Sequence, residues 1–463
     1  MTLVGLPTMG ATPVMAAAAK TVEAELRELG GRRVSWFRVR GGDHRGALAA
    51  SDAAVAERAV VLGRRVGIPI VGILDTSGAE IGDGVAALHG WGRVARALAD
   101  ASGSVPTVLA VVGPCVSGPA LLLGLVDVAV LTEDAFAYVS GPTAVAEVTG
   151  LEVTAQELGG ASGHARQTGV AWLVLPGERD VEEHLAWLLG HLPDNCMEPA
   201  PRAPSIDPPD RPCEVAARTI PDSKLAGYDV RDVVADVLDR DSLLELRARY
   251  APNLVTALGR LDGRSVGVVA NQPRERAGTL DIEASRKAAR FVSWCDAFNV
   301  PLLTFVDTPG FEPGRDLEWR GMIRHGAELV YAYGEATVPR CCVVLRKAYG
   351  GAYIVMDSRG LGNDLCFAWP TAEIAVMGAP GAVQVLHGRR LGSLDDGERV
   401  GEEARLVAEY EDTYLNPWKA AERGVVDAVI DPADTRRLLA EGLASLEAKD
   451  IPAVARRHGN TPL

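Results

Sequence analysis

The fold of this chain is decided by two matching stretches of sequence, Gly67-Ile-Pro-Ile-Val-Gly-Ile-Leu-Asp-Thr-Ser-Gly78 and Asn299-Val-Pro-Leu-Leu-Thr-Phe-Val-Asp-Thr-Pro-Gly310. Both contain a proline, then an apolar run, then an Asp-Thr-x-Gly turn. Each follows an amphipathic helical pattern, over residues 53–66 and 284–298. Because a short apolar run before a glycine turn predicts a buried strand, the same helix–strand unit occurs twice.

The repeat continues beyond these strands. A second apolar strand ending in glycine covers residues 107–118 in one copy and 341–351 in the other, and a third covers 169–176 and 424–432. Since the landmarks keep their order, we infer an internal duplication. Strands that alternate with helical stretches predict an α/β fold with largely parallel sheets and helices outside.

A polar segment rich in proline separates the two copies. Proline disfavours both helix and sheet, so we predict a linker over residues 193–222. The predicted domains are then residues 1–192 and residues 223–463. A chain of 463 residues, 48% of them apolar, has enough material for two cores of this kind.

The composition excludes several classes of function. A net charge of -14 argues against a nucleic-acid partner. The seven cysteines show no C-x-x-C spacing and no H-E-x-x-H motif occurs, so we expect no metal site. Their odd number fits buried thiols in a reducing cytoplasm, and no signal-peptide pattern precedes the first copy. The apolar residues 105–131 are interrupted by glycine and proline, which predicts two strands joined by a turn and a helix, not a membrane span.

The glycine turns after the strands are the candidate reaction sites. One pair, Gly78–Ala79 and Gly310–Phe311, follows the first strands, and a second pair, Ser117–Gly118 and Gly350–Ala352, follows the second strands. Amides at a helix start have no partner within the helix and can stabilise an oxyanion. Glycines also serve tight turns and close packing, but their recurrence in both copies favours the functional interpretation.

No side chain is a convincing nucleophile or base. Cys115 has no histidine nearby in sequence, and no G-x-S-x-G motif occurs. A lone histidine such as His89 or His325 is more often structural than catalytic, and Glu80 and Asp83 suit a helix start. The sequence therefore predicts a reaction that depends on backbone dipoles.

Several long motifs resemble a known family. They are Tyr250-Ala-Pro-Asn-Leu-Val-Thr256, Val269-Ala-Asn-Gln-Pro273, Arg324-His-Gly-Ala327, Glu335-Ala-Thr-Val-Pro339, Arg346-Lys-Ala-Tyr-Gly-Gly-Ala-Tyr353, Ala368-Trp-Pro-Thr-Ala-Glu-Ile-Ala-Val-Met-Gly378, Asn416-Pro-Trp418, Ala421-Glu-Arg-Gly424 and Arg457-His-Gly-Asn-Thr-Pro-Leu463. From about Gly67 to Leu463 the chain resembles the carboxyltransferase (β) subunit of biotin-dependent acyl-CoA carboxylases, of the propionyl-CoA carboxylase type.

The resemblance implies two tandem crotonase-like domains, each a ββα superhelix. It implies that the first domain holds acyl-CoA, that the second holds biotin, and that CO2 passes from carboxybiotin to the α-carbon of the thioester. The biotin arrives on the carrier domain of a separate α subunit, which also contains biotin carboxylase. Because the active site of the family forms where unlike halves of two subunits face each other, a dimer is implied, and three dimers make a hexamer.

The resemblance also implies residue roles. The amides of Gly351 and Ala352 face the ureido oxygen of biotin, and the amides of Ser117 and Gly118 face the thioester oxygen. The residues implied to contact the substrates are Gly78, Ala79, Gly350, Tyr353 and Ile354.

The first copy departs from the family pattern. A basic residue of the family is Glu80 here, and the family's glycine pair reads Ser117-Gly118, followed by Pro119. In the second copy Ile354 stands where propionyl-preferring members carry an aspartate. These departures predict an atypical acyl acceptor. Two alternatives stay open: a biotin-independent decarboxylase of malonyl- or methylmalonyl-type thioesters, and a catalytically silent structural subunit of a carboxylase hexamer.

Overall fold

The computed structural model describes residues 17–42, 45–451 and 458–462 of the chain. The start of the predicted first domain and both ends of the closing motif, 457–463, lie outside the described residues. The chain divides into two compact units, Met1–Pro199 and Ala200–Leu463. The division falls inside the segment predicted as a linker.

One eight-stranded sheet forms the basis of the first unit. Its strands are β1 (Ala17–Ala18), β2 (Val22–Leu29), β3 (Arg32–Val39), β4 (Ile70–Thr76), β5 (Thr107–Val116), β6 (Val128–Thr132), β7 (Phe136–Tyr138) and β8 (Leu173–Leu175). Strands β1 to β3 pair antiparallel, and the pairings from β3 through β4, β5 and β6 to β8 are parallel. Strand β7 pairs with the carboxyl end of β5.

Helices connect these strands. They are α1 (Ala50–Val66), α2 (Val85–Ala101), α3 (Leu122–Leu125), α4 (Pro142–Thr149), α5 (Ala155–Gly159), α6 (Ala161–Gly163) and α7 (Val181–Leu189), with 3-10 turns at Ile81–Asp83, Gly118–Leu121 and Glu178–Asp180 and a π turn at His164–Thr168. Gly67 ends α1 because its φ of 75° lies in the left-handed region. The buried faces of α1 and α2 pack on the sheet in one aliphatic core that includes Val60, Ile70 and Leu109.

A second eight-stranded sheet forms the basis of the second unit. Its strands are β9 (Leu244–Leu246), β10 (Leu254–Leu261), β11 (Arg264–Asn271), β12 (Leu302–Thr308), β13 (Arg340–Tyr349), β14 (Leu365–Ala368), β15 (Glu373–Ala375) and β16 (Ala428–Val429). Its helices are α8 (Ala216–Thr219), α9 (Val230–Val237), α10 (Ile282–Ala297), α11 (Arg315–Trp319), α12 (Met322–Glu335), α13 (Gly350–Val355), α14 (Ala379–Leu391), α15 (Asp396–Tyr410), α16 (Pro417–Glu422) and α17 (Thr435–Ser445). Asp281 caps α10 by accepting a hydrogen bond from the Ala284 amide at 2.7 Å.

The two units repeat each other strand by strand. Strands β10 to β14 and β16 pair in the order of β2 to β6 and β8, and β15 pairs with the carboxyl end of β13 as β7 does with β5. Even an irregularity is shared, since the register shifts between Leu74 and Thr76 in β4 and between Val306 and Thr308 in β12. The predicted duplication of an α/β unit is confirmed.

The apolar stretch 105–131 forms β5, a 3-10 turn, α3 and β6, as predicted from its glycines and prolines. Among the described residues, no helix has the length and apolarity that crossing a membrane requires.

The proline-rich segment packs within the second unit from Ala200 onward. Cys213 and Ala216 belong to the core of that unit. Asp207 is also buried, and it accepts a hydrogen bond from Arg211 Nε at 2.7 Å. Arg436, whose side chain is fully buried, donates to the carbonyl oxygens of Asp207 and Pro208. These contacts hold the segment against α17.

Candidate active site

An aspartate occupies the bulge near the end of the first central strand in each unit. Asp307 Oδ2 accepts from Arg346 Nε at 3.0 Å, and its Oδ1 accepts from the Lys347 amide at 3.1 Å. Burial raises the pKa of Asp307, and Arg346 opposes the rise. Among the described residues Asp75 has no equivalent of this pair, because Gly113 stands at the position of Arg346. Burial raises the pKa of Asp75 as well.

The turn after β4 leaves one amide without a partner. The Gly78 amide donates to Thr76 Oγ1 at 3.1 Å. Leu48 bridges the turn, because its amide donates to the Gly78 carbonyl at 2.8 Å and its carbonyl accepts from the Glu80 amide at 2.9 Å. The Ala79 amide lies between these bonds and has no hydrogen-bond partner among the described residues. Of the two predicted residues, Ala79 has the amide that can bind a ligand.

The turn after β12 repeats this arrangement. The Gly310 amide donates to Thr308 Oγ1 at 3.4 Å, and Leu280 bridges the turn from the Gly310 carbonyl to the Glu312 amide. The amide of Phe311 is then the one that points away from the bridge.

The turns after β5 and β13 set the register of the duplication. Ser117, with φ 63°, and Gly350, with φ 60°, both follow the last strand residue directly. Gly118 is therefore the equivalent of Gly351, and Pro119 is the equivalent of Ala352. Because proline has no N–H, the first unit has one backbone donor fewer than the second.

The Ser117 amide does not fit the role that the family resemblance implies. It donates to the Tyr138 carbonyl at 2.8 Å, continuing the pairing of β5 with β7. Only the Gly118 amide remains as a backbone donor at this turn, since the first residue of a helical turn has no partner within it. The indole of Trp91 stands against this residue, because a Cβ added to Gly118 would lie 2.5 Å from Cε2 of the ring.

In the second unit, the amides of Gly350 to Ala352 start α13. Tyr349 occupies the N-cap and makes no side-chain cap hydrogen bond, so these amides have no partner within the helix. Gly351 is exposed, and a Cβ added to it would meet only the Phe311 ring, at 3.5 Å. Ala352 is fully buried. Of these amides, that of Gly351 belongs to an exposed residue.

Two further predicted residues differ in exposure. The Tyr353 side chain is 5% exposed, and burial raises the pKa of its hydroxyl beside Cys342 and Cys366. Little of the Tyr353 side chain is therefore open to solvent, and its predicted contact with a substrate stays a prediction. Ile354 is 44% exposed, and its place in an acyl pocket stays a prediction.

A cavity of about 440 Å³ lies beside the carboxyl end of β13. Lys224 lies at its edge with its Nζ 2.6 Å from Glu373 and 2.9 Å from Glu411. Burial lowers the pKa of Lys224, but the hydrogen bonds to the two glutamates outweigh it and raise the pKa overall. Tyr349 also donates to Glu373. The sequence motifs contained Glu373 and Tyr349 but gave no reason to link them with each other or with Lys224. The pairing of β13 with β15 brings Tyr349 close to Glu373, and Lys224 joins them from a distant part of the chain.

The side chains that the sequence marked as weaker candidates make local contacts. Asp83 Oδ2 accepts from the Ala50 amide at 2.9 Å at the start of α1, and Glu80 accepts from Gly82. His325 pairs with Glu328 at 2.7 Å. Burial raises the pKa of the Cys115 thiol to about 12, so it is protonated and unreactive at neutral pH. Among the described residues, no group of three or more His, Cys, Asp and Glu side chains is arranged to hold a metal ion.

Two α/β units that each present paired backbone turns are typical of a tandem crotonase-like enzyme. A comparison with protein families identifies the class further, because the model described as "Carboxyl transferase domain" matches residues 30–461. The chain belongs to the carboxyl transferase family. The predicted tandem crotonase-like fold and the predicted enzyme class, a carboxyltransferase of the acyl-CoA carboxylase type, are confirmed.

Individual relatives agree with this assignment. The propionyl-CoA carboxylase carboxyltransferase subunit of Haloferax mediterranei is 47% identical over 399 residues, which are 86% of this chain and 77% of the relative. The methylmalonyl-CoA decarboxylase subunit alpha of Veillonella parvula is 42% identical over 419 residues, 90% of this chain and 80% of the relative. A solved structure of transcarboxylase 12S with methylmalonyl-coenzyme A and methylmalonic acid bound superimposes with a TM-score of 0.92 at 41% identity, covering 96% of this chain and 85% of its own.

Proposed function

We propose that this chain is the carboxyltransferase subunit of a biotin-dependent acyl-CoA carboxylase, with the first unit on the acyl-CoA side and the second on the biotin side. The observation that carries the proposal is the start of α13, where consecutive amides have no partner within the helix and Gly351 is exposed. This feature is a neutral donor site of the kind that stabilises a developing oxyanion.

Biotin fits the turn at Gly351 and Ala352. Its ureido oxygen is a compact acceptor, and Gly351 is exposed and has no side chain of its own. Carboxylated biotin, carried on a separate α subunit, supplies the CO2 and the base for the α-proton of the thioester. The amides of Gly351 and Ala352 hold the ureido oxygen and stabilise the negative charge that develops there.

The first unit binds the thioester. The amides of Ala79 and Gly118 are the backbone donors that its two turns leave for a ligand. They face the thioester oxygen, which gains charge when the α-carbon loses its proton. Since the charge is larger in the transition state than in the ground state, these donors raise kcat rather than only tighten binding.

The proposal includes partners. The chain works with a biotin carboxylase and biotin carrier α subunit, and it self-associates as a dimer of facing domains within a hexamer. The similarity to transcarboxylase 12S, whose structure is described as a hexamer assembly, supports this expectation. Size-exclusion chromatography with light scattering tests it.

The acyl acceptor is atypical. Ile354 puts an exposed apolar side chain on α13. The first unit carries Glu80 and Ser117 where the family pattern has a basic residue and a glycine, and Pro119 follows the altered pair. The test is a carboxylation assay with a biotinylated α subunit, ATP, bicarbonate and a panel of acyl-CoA thioesters. Carboxylation of at least one thioester, dependent on the α subunit, is the expected result. Failure with the entire panel by a correctly assembled complex contradicts the proposal.

A second candidate is decarboxylation of a malonyl- or methylmalonyl-type thioester without biotin. The name of the Veillonella parvula relative, a methylmalonyl-CoA decarboxylase subunit, favours decarboxylation as the reaction and does not bear on biotin. The same donors would stabilise the enolate in either direction of the reaction. Release of CO2 from methylmalonyl-CoA by this chain alone distinguishes the candidates, because the carboxyltransferase requires the biotinylated α subunit.

A further inference from the structure

The turn after β5 has few free backbone N–H groups, but it carries a side chain, Ser117, that can donate a hydrogen bond. The Ser117 amide is bonded to the Tyr138 carbonyl, Pro119 has no N–H, and the Gly78 amide is bonded to Thr76 Oγ1. The Ser117 hydroxyl has no hydrogen-bond partner among the described residues, and the residue is exposed.

The ordinary role of a serine at this position does not apply. Ser117 is the N-cap of the 3-10 turn, and a serine there normally accepts a hydrogen bond from an amide two or three residues later. The hydroxyl makes no such bond, because the second residue of the turn is Pro119 and the Ala120 amide donates to the Ser117 carbonyl instead. The hydroxyl is therefore not required by the local backbone.

The side chain lies where the two turns of the first unit meet. A Cβ added to Gly78 would lie 3.3 Å from the Cβ of Ser117 and 3.2 Å from the Val116 carbonyl oxygen. Ser117 also has φ 63° and ψ -144°, a conformation that glycine adopts readily and serine rarely does. Strained residues of this kind are concentrated at functional sites.

Resting on the proposed function, we propose that the Ser117 hydroxyl is a catalytic donor. It gives a hydrogen bond to the thioester carbonyl oxygen and takes the place of the backbone N–H that Pro119 removes. The second unit does not need such a side chain, because Ala352 retains the N–H at the equivalent position and Gly350 stands at the position of Ser117. The donor set of the first unit is then Ala79 N–H, Gly118 N–H and Ser117 Oγ–H.

The first measurement is the infrared carbonyl band of a bound thioester, recorded with the full chain alone. A hydrogen bond to a carbonyl oxygen weakens the C=O bond and lowers its stretching frequency. The probe is whichever of acetyl-, propionyl- and methylmalonyl-CoA binds most tightly, labelled with 13C at the thioester carbonyl. We expect Ser117→Ala to move the band to higher frequency, and Ser51→Ala, an exposed serine on α1, to leave it unchanged. An unchanged band in Ser117→Ala overturns the proposal.

The second measurement is kinetic and uses the complete carboxylase. Ser117→Ala is expected to lower kcat by about 10²-fold with little change in KM, because a donor to the developing charge acts in the transition state. Ser117→Gly removes the strain as well as the hydroxyl and lowers kcat to a similar extent. If Ser117→Gly instead raises kcat, the side chain only narrows the site and the proposal is wrong.

A double-mutant cycle tests whether the Ser117 hydroxyl takes the place of the N–H that Pro119 lacks. Pro119→Ala restores the backbone donor, so Ser117→Ala costs less in that background than in the natural chain. An equal loss in both backgrounds shows that the hydroxyl does not replace an N–H, and contradicts the proposal. If these three thioesters do not bind, the labelled probe is the tightest binder of the carboxylation panel. Failure of the entire panel to bind the natural chain contradicts the proposed function and this proposal with it; binding without the shift contradicts only the role of Ser117.

Discussion

The turns after β5 and β13 start with the same left-handed φ and carry different donors. Ser117 and Gly350 adopt φ values of 63° and 60°, and each directly follows its strand. The three residues from each of these positions are Ser-Gly-Pro and Gly-Gly-Ala, so the first unit has one backbone N–H fewer and one hydroxyl more than the second. The comparison shows that two duplicated turns can keep the same φ at their first residue and differ in the hydrogen-bond donors they offer, through single-residue differences.

The two units also differ in the charged residues that they bury. In the second unit Asp307 pairs with Arg346, and Lys287 donates to three backbone carbonyls, with Nζ–O distances of 2.6 to 3.3 Å. At the equivalent positions the first unit has Gly113 and Val55. The second unit therefore depends on polar contacts in its interior at two positions where the first does not.

The largest expected effect comes from removing the partner of a buried charge. Arg346→Met leaves the Asp307 carboxylate without its guanidinium, and breaking a buried pair in this way costs about 3–5 kcal/mol. We expect the free energy of unfolding in urea to fall by that amount. Arg315→Met is the control, because Arg315 is exposed and a surface substitution stays within about 0.5 kcal/mol.

The double variant Asp307→Asn with Arg346→Met sharpens this result. It removes both charges, so it should recover part of the lost stability. If the double variant is no more stable than Arg346→Met alone, the ion pair is not the reason for the loss.

The next effect tests the donor difference directly. Ala352→Pro gives the second unit the proline of the first and removes one N–H, so we expect kcat of the complete carboxylase to fall by about 10²–10³-fold. The fold should be retained, since Pro119 shows that this turn accommodates a proline and the amide has no partner within the helix.

Ala352→Gly is the matched control, because it keeps the N–H. It should retain most of the activity. A similar loss of kcat in Ala352→Gly and Ala352→Pro, with both variants folded, would show that the Ala352 amide is not a donor to the reaction.

The sequence was sufficient for the fold and for the location of the turns, because both depend on local patterns. The helix before Gly67, the apolar strand and the Asp-Thr-x-Gly turn are each readable from neighbouring residues. The partners of individual amides are not. That the Ser117 amide is bonded to Tyr138 follows from the pairing of β5 with β7, and that Tyr353 is buried follows from packing near Cys342 and Cys366. Such contacts join residues that are distant in the chain, and no local sequence pattern predicts them.

The third effect depends on pH. Burial lowers the pKa of Lys287 to about 7 from an ordinary value of 10.5. Between these values the unfolded chain holds a proton that the folded chain lacks, so the unfolding free energy rises with pH by up to about 1.4 kcal/mol per unit. Lys287→Met removes this slope, and urea unfolding of both proteins at pH 7 and pH 9 measures the difference.

The comparison with the first unit makes this test informative. Val55 shows that an apolar residue is accommodated at the equivalent helix position of the first unit, so we expect Lys287→Met to fold. The three carbonyl oxygens around Nζ favour the charged ammonium, in opposition to burial. If natural chain and variant show the same dependence on pH, these contacts keep Lys287 charged throughout, and the effect of burial is outweighed.

The smallest effect concerns the strain at Ser117. A non-glycine residue in such a conformation costs about 1–3 kcal/mol, and glycine loses more backbone entropy on folding, so we expect Ser117→Gly to stabilise the chain by about 1 kcal/mol. Urea unfolding measures it, and Ser51→Gly in α1 should instead destabilise, because there glycine has only the entropy cost. A loss of stability in Ser117→Gly would show that the turn is not strained. A gain in stability together with a loss of kcat would show that the strained serine is retained for its hydroxyl, since the second unit achieves the same turn with Gly350 and without that cost.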